Sequence, residues 1–271
     1  MGDAGTTSSS VREKAADEIV AARSARVLGL FNVWLERYFR RKFTSVRVLK
    51  NTVPAVDPGR SLVVFGNHPA WWDPLTFILL SNRLFPQYRS FGPMDARMLE
   101  KYRFMRKLGV FGVEQETMRG AAQFLLVSRG LLSDPANALW LTPQGHFSDA
   151  RVRPVTFRAG LGHTARDVEA TFVPIAMELV FWNEPSPELL VAFGAPIVST
   201  GDDKPEAWTQ RFEAALEATM DRLAQASMAR DPALFDALLT GDGGVSLAYD
   251  VFRRLKALAQ GKPYRPAHGD Q

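Results

Sequence analysis

Apolar residues follow two rhythms along this chain. From about Val11 to Phe43 they recur at helical spacing. Val27, Leu28, Leu30, Phe31, Trp34, Leu35, Tyr38 and Phe39 share one wide arc at about 100° per residue, and Arg26, Arg37, Arg40 and Arg41 lie opposite. Gly29 marks an expected break in that helix. From Ser45 the rhythm shortens: Ser45–Leu49 alternates as a strand, Pro54, Asp57, Pro58 and Gly59 cluster as a turn, and Ser61–Phe65 is continuously apolar, as in a strand covered on both faces. Further strand candidates are Leu139–Thr142, Thr171–Ile175 and Leu189–Phe193. Helical patterns lie between them at Ala96–Lys107 and Ala121–Leu132, and after Asp73–Pro74. Strands alternating with helices predict an α/β fold: a single domain with a mostly buried sheet flanked by helices, preceded by an amphipathic basic N-terminal helix.

The same pattern divides the chain. Residues 1–10 read as a disordered tail, 11–45 as an amphipathic helical region suited to a membrane interface, 46–200 as the core and 201–271 as C-terminal helices. In the last part Glu206–Met228 is a clear helix, Gly241–Gly244 a break and Ser246–Ala259 a final helix. The amphipathic helix fits either a bilayer surface or the protein's own core, since most such helices pack inward.

Composition narrows the class. With 271 residues, 46% of them hydrophobic and 23% charged, the chain is globular and long enough for a sizeable core. It has no cysteine, which excludes disulfides, thiolate nucleophiles and cysteine-held zinc and suits a reducing compartment. A net charge of +4 does not argue for nucleic acid. Its distribution says more: Arg23, Arg26, Arg37, Arg40, Arg41, Lys42, Arg47 and Lys50 face a single acid, Glu36, in the same segment. A basic stripe on a nearly neutral body suggests an anionic surface. The N-terminus lacks the basic and apolar regions of a secretory signal. It does fit a myristoylation pattern through Gly2 and Thr6 that six loosely constrained positions often match by chance.

The stretch SLVVFGNHPAWWDP holds the candidate chemistry. A strand runs into Asn67 and His68, and Asp73 follows five residues later. Histidine titrates near neutral pH and suits general-base work, and a carboxylate on its far nitrogen fixes the tautomer and steadies the cation. Asp73 before Pro74 reads equally as a helix N-cap with proline at the first helical position, and His68 as an ordinary turn residue. Trp71 and Trp72 between them suit an acyl tunnel, a bilayer interface or plain core packing. His68, His146, His163 and Asp73 lack the spacing of a metal site, so no metal is expected. Gly160-Leu-Gly-His-Thr-Ala165 matches a dinucleotide fingerprint but follows no convincing strand, and reads as a glycine-started helix. Neither G-x-S-x-G nor a P-loop occurs.

Asn67-His68-x-x-x-x-Asp73 after an apolar strand resembles the first motif of the glycerolipid, PlsC-type acyltransferase family (1-acylglycerol-3-phosphate acyltransferase-like). Leu141-Thr-Pro-Gln-Gly-His-Phe-Ser148 resembles its third motif, F-P-E-G-T-R-S. Phe172-Val-Pro-Ile-Ala176 resembles the fourth, and Met94–Val113 the second. Together they span roughly Val46 to Ile197, which makes 46–200 the acyltransferase core.

The resemblance implies transfer of a fatty acyl group from a thioester, acyl-CoA or acyl carrier protein, to a hydroxyl of a lysophospholipid or related lipid, with no further cofactor. His68 and Asp73 are its implied catalytic pair. Asn67, Gln144, Gly145, His146, Arg151 and Arg153 are implied for substrate binding, and the place of work is the cytoplasmic, inner face of a membrane. A general base contributes about 10²- to 10⁴-fold. The leaving thiol, with a pKa of about 8.5, departs without a strong acid. Two alternatives use the same residues: a thioester hydrolase, and a catalytically inactive lipid-binding homologue. Where the family has glutamate and arginine in the third motif this chain has Gln144 and Phe147, so a bidentate phosphate clamp is missing. Glu114, Gln115 and Glu116 stand near the arginine often found after the second block. Arg151, Arg153 and Arg158 are the candidates to compensate.

Overall fold

A computed structural model describes residues 14–200 and 203–241. The expected tail 1–10, the start of the first helix, most of the glycine-rich break and the helix Ser246–Ala259 lie outside the described residues.

The N-terminal region is two helical pieces, 14–22 and α1, Ala25–Lys42. The break sits at Arg23–Ser24, not at Gly29. Ser24 caps α1, its Oγ accepting from the Val27 N–H at 3.4 Å, while its own N–H donates to the Lys107 carbonyl at 2.9 Å. Gly29 continues the helix with nothing within 4 Å of where a Cβ would be. A solvent-facing glycine costs a helix only about 1 kcal/mol, so a docked cap decides where the helix divides.

Among the described residues nine strands form one mixed sheet in the order β4-β3-β5-β2-β6-β7-β1-β9, with the short β8, Ile197–Val198, paired to β6. The strands are β1 (Ser45–Leu49), β2 (Ser61–Gly66), β3 (Arg89–Asp95), β4 (Val110–Val113), β5 (Asn137–Leu141), β6 (Ala170–Val180), β7 (Glu188–Phe193) and β9 (Phe235–Thr240). Parallel pairing joins β4, β3, β5, β2 and β6, and again β1 and β7; β6–β7, β1–β9 and β6–β8 are antiparallel. The continuous apolar runs have the expected cause, since both sheet faces are covered. Leu62, Val64, Val173 and Ile175 pack beneath α1 and α2 (Asp73–Leu84). Val63, Phe65 and Phe172 pack on the other face, against α6 (Pro205–Ala229).

The helical pattern Ala96–Lys107 is a short helix, α3 (Ala96–Lys101), followed by a tighter turn at Arg103–Leu108. The second helical pattern is α4, Met118–Leu132. The glycine-started segment forms α5, Gly160–Asp167, after a loop. Gly162 presses on α6 so closely that a Cβ would lie 2.2 Å from the Pro205 carbonyl oxygen. The stretch expected to hold C-terminal helices also supplies β9, which seals the sheet edge beside β1. Among the described residues no helix is long and apolar enough to cross a membrane.

The N-terminal arc is divided between two tasks. Leu35 and Phe39 are buried in the core, whereas Leu30, Val33 and Trp34 remain exposed. The basic stripe divides too. Arg47 pairs with buried Glu188 in the sheet, Arg40 donates to the Thr240 carbonyl, and Arg23 is half-buried, with its pKa lowered by burial. Arg26, Arg37, Arg41, Lys42 and Lys50 stay exposed.

Candidate active site

The end of β2 sets the site. At Gly66 a Cβ would fall 2.9 Å from the Ile175 carbonyl oxygen, so only glycine lets β2 press on β6 there. Asn67, 1% exposed, continues the ladder with its side chain: Nδ2 donates to the Met177 carbonyl at 2.9 Å, and Oδ1 accepts from the Met177 N–H at 2.8 Å. This two-point tie frees the backbone to turn, and His68 emerges from the sheet. The loop after β5 holds that turn. Gln144 Oε1 accepts from the His68 N–H at 3.1 Å, and the Ser148 N–H donates to the His68 carbonyl at 3.0 Å.

The His68 ring turns toward α2. Its Nδ1 lies 2.6 Å from Asp73 Oδ2, and that same oxygen accepts from the Ala70 N–H at 3.1 Å. Asp73 opens α2 with Pro74 behind it, yet its carboxylate turns back to the loop and does not cap the helix. Burial raises the Asp73 pKa, opposed by the hydrogen bonds from His68 and Ala70. A carboxylate on Nδ1 selects the tautomer with its proton there, leaving Nε2 free to accept another. The Phe147 ring lies 4.3 Å from the imidazole, centre to centre, and is itself exposed.

Two hollows flank this turn. The larger, about 550 Å³, has His68, Gly145 and Arg158 in its wall, with Phe77, Ile78, Phe91, Met105 and Val110 among its apolar lining. The smaller, about 220 Å³, is bounded by Asn67, Arg151, Arg153, Glu178 and Asp221. There Arg151 pairs with Asp149 at 2.7 Å and Arg153 with Asp221 at 2.6 Å. Burial raises the Glu178 pKa against a hydrogen bond from Ser227 and the Arg151 charge.

The structure thus gathers His68, Asp73 and Gly145 at the large cavity or its edge. Asn67 and Gln144 fix the backbone around His68, and His146 is exposed on the turn. Arg151 and Arg153 belong to the other hollow. Among the described residues no three His, Asp or Glu side chains gather as a metal site. Sequence reasoning placed Glu116 after the second block but not its approach to Arg158, missed Glu178, and did not foresee Phe147 against the imidazole. Glu116 carries a positive φ of 62°, which no local pattern announced.

An aromatic chain leads from the turn to the surface. Trp71 and Trp72 are 5.5 Å apart, Trp72 and Tyr38 5.5 Å, Tyr38 and Trp34 4.9 Å, and Trp34 and Phe31 5.1 Å. Trp71 and Trp34 are exposed along it, as are Leu30 and Phe104.

The sequence model of the family described as Acyltransferase matches residues 45–178. The fold is similar to that of the crystal structure of the 1-acyl-sn-glycerophosphate (LPA) acyltransferase, PlsC, from Thermotoga maritima. The TM-score is 0.54 at 13% identity, over 73% of this chain and 79% of that one. No curated protein matches the chain in sequence.

Proposed function

The chain belongs to the acyltransferase family, and from that premise we propose that it moves a fatty acyl group from an acyl thioester to a hydroxyl of a lysophospholipid or related lipid. The observation that carries this reading is the His68–Asp73 pair, 2.6 Å apart, in the wall of an apolar cavity of about 550 Å³. That volume is in the usual range for a small-molecule site.

In this mechanism the acyl chain lies among Phe77, Ile78, Phe91 and Met105, with its thioester beside His68. Nε2 takes the proton of the acceptor hydroxyl as that oxygen attacks the thioester carbonyl, and Asp73 steadies the imidazolium. The tetrahedral intermediate then breaks its C–S bond. The thiolate leaves and takes the proton back from Nε2, so the ester and the free thiol are the products and His68 is regenerated. Phe147 covers part of the imidazole, which favours transfer to a lipid over transfer to water.

The surface around α1 suits a bilayer. Leu30, Trp34, Trp71 and Phe104 offer apolar and aromatic contact, and Arg26, Arg37, Arg41 and Lys42 offer charge for anionic head groups. The proposed place of work is the cytoplasmic, inner face, with the acceptor drawn from lipid and the CoA or carrier-protein thioester from water.

The test is thiol release from palmitoyl-CoA by the full chain with a panel of lysolipids and lipid alcohols, beside His68→Ala. Release that needs one acceptor and falls by about 10²- to 10⁴-fold in His68→Ala supports the reading. Release without any acceptor makes the protein a thioester hydrolase. No release with any acceptor or any donor, carrier-protein thioesters included, would sink catalysis altogether.

A further inference from the structure

The family's third motif carries arginine where this chain has Phe147, and the two arginines that follow are spent elsewhere. Arg151 and Arg153 pair with Asp149 and Asp221 on the small hollow. The cavity that contains His68 nevertheless has a cation. Among its described lining residues the charged side chains are Asp95, Glu114, Glu116 and Arg158, so Arg158 is the single positive one. Asp95 is already engaged, accepting from the Arg97 and Met98 N–H groups at the start of α3.

Arg158 is anchored beside the third-motif turn. Its backbone N–H donates to the Pro143 carbonyl at 2.9 Å, which ties it to the third-motif turn. Its side chain lies over Gly145, where a Cβ would sit 2.4 Å from Nε, and Gly145 also has a positive φ of 71°. The turn therefore favours glycine at that position, and its missing side chain leaves room for the guanidinium. Two residues on, Gly160 and Leu161 begin α5 and line the same cavity, and Ala159 gives that helix start no side-chain cap. The positive end of a helix dipole adds to the cation.

The guanidinium has only a loose partner. Glu116 Oε1 stands 3.6 Å from it, outside hydrogen-bond range, on a residue in left-handed conformation with both side chains substantially exposed. A non-glycine residue kept at such a φ is a strained placement. An exposed pair at this distance is weak and readily exchanged for a better anion, whereas a phosphate offers a guanidinium two charge-assisted hydrogen bonds.

We propose that Arg158 is the phosphate-binding residue of this site, and that the Glu116 carboxylate stands in for the phosphate until a ligand displaces it. The proposal rests on the acyl-transfer reading for its consequence, because it places a phosphate ester in the same cavity as His68. That phosphate belongs either to the lipid acceptor or to the pantetheine-bearing donor. Relocating the cation from position 147 to position 158 reconciles the missing clamp with a phosphorylated substrate.

The experiment compares the full chain with Arg158→Gln, Arg158→Lys and Glu116→Gln, using palmitoyl-CoA with a lysophospholipid and with a monoacylglycerol that has no phosphate. Arg158→Gln raises the KM for the phosphate's owner by about tenfold, Arg158→Lys less, and Glu116→Gln lowers it by about two- to threefold. A change seen only with the lysophospholipid assigns the phosphate to the acceptor. A change in the palmitoyl-CoA KM with both acceptors assigns it to the donor. Unchanged KM values for every ligand in Arg158→Gln, or a fall in kcat alone, overturn the proposal. If the wild-type chain acylates neither lipid, calorimetry with coenzyme A and with glycerol 3-phosphate decides the anion site independently of the acyl-transfer reading. Binding that Arg158→Gln abolishes supports it; binding that is absent or insensitive to Arg158→Gln overturns it.

Discussion

The two hollows beside the His68 turn are built from neighbouring residues and are opposites in kind. His68 belongs to the wall of the larger, whose lining is mostly apolar and holds one cation; Asn67, the residue before it, bounds the smaller, where two arginines are already neutralised by carboxylates. The turn after β2 explains the split, because Asn67 stays tied to Met177 of β6 while the backbone turns and carries His68 to the larger cavity. One side is left with an unspent base and an unspent guanidinium. On the other side both arginines are already matched: Arg151 pairs with Asp149 within the loop, and Arg153 with Asp221 joins the loop after the third motif to α6. The presence of charge is thus a poor guide to a binding site, and unsatisfied charge is a better one.

The contrast can be broken most sharply at Asp73. Burial raises its pKa, so the native state holds that proton more tightly than the unfolded chain does. Stability from this group is present at low pH and lost as pH rises through the raised value, which makes the ionised carboxylate a burden on folding at neutral pH. Asp73→Asn should lower kcat by about 10²- to 10⁴-fold while the melting temperature at pH 7 holds or rises. A protein that unfolds instead would make Asp73 a structural residue of the turn. A smaller effect is expected inside the apolar hollow. Ile78→Phe narrows it and should cut kcat/KM for long acyl donors by about tenfold relative to short ones; equal loss for all lengths would mean the chain lies elsewhere. The smallest effect belongs to the polar hollow, where Arg151→Gln and Arg153→Gln should each change substrate KM by less than about threefold, since exposed paired charges contribute little. A larger change there than in Arg158→Gln would reverse the assignment of the two sides.

Much of this was legible in the sequence, for reasons that also mark the limit. β2, β6 and β7 are buried on both faces, so their branched apolar runs announced them. β3 reads Arg-Ser-Phe-Gly-Pro-Met-Asp, with one buried residue and neither alternation nor a continuous apolar run, and only its neighbours β4 and β5 make it a strand. His68 and Asp73 could be paired because five residues of a single turn bring them together. The motif implies Gln144 for substrate binding, and no local spacing shows the hydrogen bond that its Oε1 accepts from the His68 backbone, across 76 residues. Arg158 and Glu116 meet only when the loops after β4 and β5 converge, and no local spacing encodes that meeting. The N-terminal helix was readable in its amphipathy but not in its break, which a tertiary bond from Ser24 to Lys107 determines.

The line of rings from Trp71 through Trp72 and Tyr38 to Trp34 has an optical consequence. Rings this close exchange excitation energy, so light absorbed by the half-buried members drains toward indoles in contact with solvent. Two of the chain's six tryptophans, Trp34 and Trp71, stand exposed there, whereas Trp140 and Trp208 are buried in the core. The molecule therefore has its own fluorophores at the surface proposed to meet lipid, and their colour reports whether water or hydrocarbon surrounds them, without any added dye.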